Sequence, residues 1–175
     1  MDGAARRHAT EVELPLPELP LRVRTPTKEN DMADILHRLS IDAPPERLQE
    51  LVATPAGIER WWTGHTVAAD AGTLRFCFGG PDAAAAVEIT EETPEQVVWR
   101  VVEGPPDWIG TDITFTLRPT GEGTTLLFSH AGWRETGEFM ANCSSEWASY
   151  LIGLKAGAEG GSFTPYPAGQ VSRWS

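Results

Sequence analysis

The stretch that most constrains the fold lies at residues 139–154. Phe139, Cys143, Trp147, Tyr150, Leu151 and Leu154 recur at spacings of three and four, which sets them on one face of a helix. A tryptophan in the middle of that stripe carries on the order of 200 Å² that gains by leaving water. Such a helix must lie on a broad apolar surface, and the rest of the chain has to supply it.

The residues ahead of the helix are patterned to do so. Side chains alternate across a strand, and five segments place apolar residues on one face. These are Leu74, Phe76 and Phe78; Ala85, Val87 and Ile89; Val97, Trp99 and Val101; Ile113, Phe115 and Leu117; and Leu126, Phe128 and His130. Turn formers separate them at Gly79-Gly80-Pro81-Asp82, at 91–95 around Pro94, at Gly104-Pro105-Pro106-Asp107 and at Thr120-Gly121-Glu122-Gly123. The alanine run before Val87 has helical propensity, but the flanking turns favour a strand. A further turn is expected at Gly132-Trp133-Arg134-Glu135, ahead of the long helix.

Upstream, residues 33–41 suit a strand with His37 facing solvent. Two short helices follow, the first capped by Asp42 with prolines in its first turn, the second capped by Thr54 and running into Trp61-Trp62. The chain reads as α+β: one strand, two short helices, five or six further antiparallel strands on hairpin-length connections, and one long helix. The helix is expected to cross the concave face of a curved sheet of about six to seven strands.

Residues 1–31, with Pro15, Pro17, Pro20 and Pro26 and no sustained period, read as an extended or disordered tail, and Met32 as a true or alternative start. The folded domain is expected over 32–160, with an irregular tail over 161–175. A formal charge of −11 and a pI near 4.7, with no basic cluster, argue against nucleic acid and anionic membranes. No membrane span and no secretory signal are read, and the isolated Cys77 and Cys143 suit free thiols in the cytoplasm.

The pattern resembles the helix-grip fold of the START-like superfamily, and more closely the family named after the activator of Hsp90 ATPase homologue. The residues that carry the likeness are TPAGIERWWT at 54–63, EQVVWRVVEG at 95–104, GTTLLFSHAGW at 123–133 and the helix bearing Trp147. The resemblance implies a cavity between sheet and long helix that binds a lipid-like or aromatic molecule. It also implies a chaperone or other protein partner, although only a tail precedes the domain where the co-chaperones carry a separate chaperone-binding domain. Polyketide cyclases, plant hormone receptors and lipid carriers share this architecture, so the fold leaves the activity open.

No catalytic constellation is legible. The chain has no nucleophile elbow, no phosphate-cradling glycine motif and no metal-ligand spacing, so neither a metal nor a cofactor is expected. Glu138 and Glu146, two turns apart on the helix, read as solvated. Of the histidines, His8 falls in the tail, His65 at a strand start, and His130 on the inward register with Leu126 and Phe128. Two roles fit His130: a hydrogen-bonded core residue, or a polar contact for a ligand. A cyclase- or hydrolase-like enzyme would use it as general acid or base. The candidate ligand-binding set is Trp61, Trp62, Phe76, Phe78, Trp99, Phe115, Phe128, His130, Trp133, Phe139, Cys143 and Trp147.

Overall fold

Seven strands form one antiparallel sheet in the order β1-β7-β6-β5-β4-β3-β2. The computed structural model describes residues 33–63, 66–70, 72–78 and 84–164. The expected N-terminal tail with His8 and Met32, His65, the turn at Gly79-Gly80-Pro81-Asp82 and residues 165–175 lie outside the described residues. Strand β1 (Ala33–Ile41) leads into α1 (Pro45–Ala53) and α2 (Pro55–Ile58). Strands β2 (Thr66–Asp70), β3 (Thr73–Cys77), β4 (Ala84–Thr93), β5 (Gln96–Glu103), β6 (Asp112–Thr120) and β7 (Gly123–Trp133) follow, and α3 (Glu138–Ala158) comes last among the described elements. The order and type of the elements follow the sequence pattern throughout, including the strand through the alanine run.

The inward face is the apolar alternation. Leu74, Phe76, Val97, Trp99, Val101, Ile113, Phe115, Leu117, Leu126 and Phe128 are buried, and Cys143, Trp147, Tyr150, Leu151 and Leu154 of α3 close over them. Beyond α3, Phe163 packs back over Gly153, where an added Cβ would lie 2.3 Å from its ring.

The helical entry differs from expectation in one respect. Pro44 is the N-cap of α1 and no side chain caps it. The Asp42 N–H instead donates to Glu159 Oε1 at 2.8 Å, tying the end of β1 to the end of α3. Thr54 does cap α2: its Oγ1 accepts from the Gly57 N–H at 3.0 Å while its hydroxyl donates to the Glu50 carbonyl at 2.8 Å. The two helices meet so closely at Gly57 that a Cβ there would lie 2.2 Å from the Glu50 carbonyl oxygen.

The expected turn at Gly132-Trp133 is a β-bulge instead. Ala33 pairs with Trp133 and Ile35 with His130, so β7 has one residue more than β1 across this step. Gly132, at φ +89°, absorbs it. Without the extra residue Trp133 would point away from the core; with it, His130 and Trp133 both face inward. His37 also departs from expectation. It is half-buried against α3, its ring 6.0 Å from Phe128, and burial lowers its pKa while a bond to the Ser144 backbone acts in the opposite sense.

Candidate functional site: an aromatic interior with a neutral histidine

The sheet and α3 bring the candidate residues into one ring cluster. Trp62 sits at its centre, with ring centroids 4.5 Å from Phe76, 5.0 Å from Trp147, 5.4 Å from Phe78 and 5.5 Å from Trp99. Phe115 lies 4.7 Å from Trp99 and 5.4 Å from Phe128, which lies 4.7 Å from Trp147. Trp61 joins through Phe115, and Trp133 links His130 to Phe139. Phe78 and Phe139 are half-buried; the rest of the set is buried. Offset and edge-on contacts at these separations are the favourable ring geometries.

Most of the indole N–H groups in this cluster have acceptors. Trp61 and Trp99 donate to the carbonyls of Leu51 and Val52 at 2.8 and 3.0 Å, taking up carbonyls that the last turn of α1 leaves open. Trp133 donates to the His130 carbonyl at 2.9 Å. Trp108, from the connection between β5 and β6, is different. Its Nε1 is buried with no oxygen or nitrogen acceptor and has only the Cys143 thiol, a weak acceptor, beside it, while its ring packs on His130 and Trp147.

The protonation of His130 follows from its neighbours. An indole only donates, so the 3.1 Å contact from Trp147 Nε1 makes Nδ1 an acceptor and puts the ring proton on Nε2. That N–H donates to Thr111 Oγ1 at 2.8 Å, and the Thr111 hydroxyl donates to the Trp108 carbonyl at 2.5 Å. The chain Trp147–His130–Thr111–Trp108 runs in a single direction. The ring is 0% exposed, and burial drives its pKa down to about 3. A proton at Nδ1 would have to displace the Trp147 N–H, so the geometry argues against general acid or base catalysis here. The same occupancy corrects the reading of His130 as a polar contact for a ligand, because both nitrogens already have partners.

Cys143 is buried as a protonated thiol. Burial pushes its thiol up to about 11, and a hydrogen bond with the Trp108 side chain acts in the opposite sense. Glu138 is exposed, and among the described residues no three His, Cys, Asp or Glu side chains gather as metal ligands. No helix among them is long and apolar enough to cross a membrane.

Two participants lie outside the candidate set. Thr111 sits one residue ahead of β6 and carries no periodic signal. Trp108 lies in a Gly-Pro-Pro connection that reads as loop, yet the bonds Trp108 N–H to Pro105, Gly110 N–H to Val101 and Thr111 N–H to Trp108 close that connection on itself and hold the indole inward. Separately, an open groove of about 460 Å³ lies beside β1, lined by Asp34, Ile35, Leu36, Thr136, Gly137, Met140, Ala141 and Ser144. None of the candidate residues lines it.

The family model of the Activator of Hsp90 ATPase homolog 1-like proteins matches residues 42–159. The chain belongs to this family. The solution structure of the Aha1 dimer from Colwellia psychrerythraea is 34% identical, covers 73% of this chain and 97% of that one, and superposes with a TM-score of 0.66. CalU16 from Micromonospora echinospora is 24% identical over 77% of this chain and 78% of its own, with a TM-score of 0.57. DynU16, from the dynemicin biosynthetic locus, is 23% identical over 76% of this chain and 49% of its own, with a TM-score of 0.61. These last two are likenesses of fold. No curated protein matches the chain by sequence. The helix-grip expectation agrees with these neighbours.

Proposed function

We propose that the protein binds a hydrophobic small molecule, lipid-like or aromatic, among the rings between the sheet and α3. The observation that carries this reading is the Trp108 indole N–H, a buried donor with no oxygen or nitrogen acceptor and only the weakly accepting Cys143 thiol beside it. An unpaired buried donor costs about 1–3 kcal/mol, and a carbonyl, carboxylate or hydroxyl on an apolar ligand would recover it. Trp108 thereby takes the polar role first read for His130. Trp61, Trp62, Phe76, Phe78, Trp99, Phe115, Phe128, Trp133, Phe139, Cys143 and Trp147 supply the apolar walls, and the half-buried Phe78, Trp108 and Phe139 supply access. Apolar contact contributes about 25 cal/mol per Å² of ligand surface, less the cost of parting packed rings.

Intrinsic tryptophan fluorescence, titrated with fatty acids, planar aromatics and polyketide-like compounds, tests the proposal. A saturable change is expected for at least one class, with Trp108→Phe weakening an acceptor-bearing ligand about tenfold. Absence of a saturable response to every class rejects it. The family match also supports a protein-interaction reading; chaperone ATPase rates measured with and without the protein test that, and an unchanged rate ends it.

A further inference from the structure

Strand β1 is an edge of the sheet, with β7 on one side and no strand on the other among the described residues. Its C-terminal part is closed by α3. The Ser40 carbonyl accepts from Lys155 Nζ at 2.9 Å, and the Asp42 N–H donates to Glu159. In an antiparallel ladder the N–H and C=O of one residue point to the same side, and successive residues alternate. Pairing with β7 is regular from Ile35 to Ile41, so Leu36 and Arg38 turn their N–H and C=O to the same outer side as Ser40. The groove of about 460 Å³ lies beside this half of the strand.

The side chains on this edge are as informative as its backbone. Asp34, Leu36 and Arg38 alternate with the buried Ile35 and half-buried His37 and all stand exposed, Leu36 at 70%, with Asp34 and Leu36 bordering the groove. An apolar residue this open on an unpaired edge is the arrangement that folded proteins usually block. The charges lie two residues either side of it and are opposite in sign. Arg38 has no ion pair among the described residues, and Asp34 spends one carboxylate oxygen on the Gly132 N–H at 3.2 Å.

We propose that this edge pairs with β1 of a second copy, antiparallel, about a two-fold axis through Leu36. That register sets Leu36 against Leu36 of the second copy and Asp34 against its Arg38, twice over by symmetry. The charge pattern selects it. Moving the axis by half a step puts Leu36 opposite a charge and leaves ions unmatched. Moving it to Arg38 or Asp34 sets like charges face to face. Two seven-stranded sheets then become continuous, and the outward N–H and C=O of Leu36 and Arg38 acquire partners.

Sedimentation of the full chain over a range of concentrations tests this, with Arg38→Asp and Asp34→Arg each alone and mixed. The wild type is expected to dimerise reversibly. Each single variant turns two attractive cross-strand pairs into repulsive ones and is expected to weaken dimerisation at least about tenfold. The equimolar mixture restores it, because the two altered chains are complementary. Amide exchange on the wild type needs no variant: Leu36 and Arg38 are expected to be protected when dimeric and to lose protection on dilution. A monomer at every concentration, a dimer indifferent to both substitutions, a mixture that stays monomeric, or Leu36 and Arg38 amides that exchange freely in the dimer each overturns the proposal.

Discussion

Acidification is the perturbation that separates a neutral, structural His130 from a catalytic one. The unfolded chain holds this imidazole near a pKa of 6.5, and the folded protein holds it at about 3 because burial disfavours the imidazolium. Between those values the unfolded state binds the extra proton, so stability rises with pH through this window and is lost as pH falls below about 6.5. At about 1.4 kcal/mol per pH unit, the loss from this one ring reaches about 2 kcal/mol by pH 5 and about 4 kcal/mol by pH 3. The first figure is a sizeable part of the 5–15 kcal/mol that holds a typical domain together, roughly speaking. Most carboxylates remain ionised at pH 5, so pH 7.5 to 5 is the window to use. Urea unfolding of the wild type and of His130→Gln at both ends isolates the ring, since other titrating groups cancel in the difference. The wild type is expected to lose about 2 kcal/mol more than the variant over this interval. Ring-nitrogen NMR gives a second readout, with a proton on Nε2 and no titration down to pH 5. A midpoint near 6.5, or equal pH dependence in the two proteins, would refute the reasoning.

Three further substitutions probe the same framework. Trp147→Phe keeps the ring packing but strips Nδ1 of its donor; a loss of about 1–3 kcal/mol in urea unfolding is expected, together with a His130 pKa that rises from about 3. Gly57→Ala forces a Cβ against the Glu50 carbonyl and Leu51 Cα, backbone atoms that cannot rotate aside, so a fall in Tm larger than for any of the other two is expected. Thr54→Ala removes the hydroxyl that caps α2 and bonds Glu50, which corresponds to about 0.5–2 kcal/mol; an unchanged Tm would show that the cap contributes nothing here.

The residues that the sequence exposed most clearly were those whose position is dictated by period. Alternation put Phe76, Trp99, Phe115 and Phe128 on one face, and the three-four spacing put Cys143, Trp147 and Leu151 opposite them, because burial on one side of a strand or helix leaves that repeat. What escaped were features that break the period. The Gly132 bulge shifts the register by one residue, so Trp133 reads as a turn residue although it is buried. Trp108 enters the interior from a connection, where no alternation announces burial. The polar partners of His130 escaped for another reason: Thr111 is remote from it in sequence, and hydrogen bonds between distant side chains leave no local trace.

These irregular features converge on one wall of the interior. The Trp108 carbonyl ends the hydrogen-bond chain that begins on α3 at Trp147, while the Trp108 indole stacks on that same Trp147 at 6.4 Å and its N–H meets only the Cys143 thiol. The residue proposed to greet a ligand is therefore the one that anchors the helix lid through His130. A ligand that draws the indole towards itself also moves the carbonyl that receives the Thr111 hydroxyl, and strain there passes through His130 to α3. Because every other link in the chain is fully bonded and buried, displacement is felt along it and is not absorbed locally. On the proposed function, ligand binding and the seating of α3 are one equilibrium. Trp147→Phe, which cuts the chain at its helix end, should loosen α3 and make the ring cluster easier to part, so that the stability lost reappears in part as faster ligand entry.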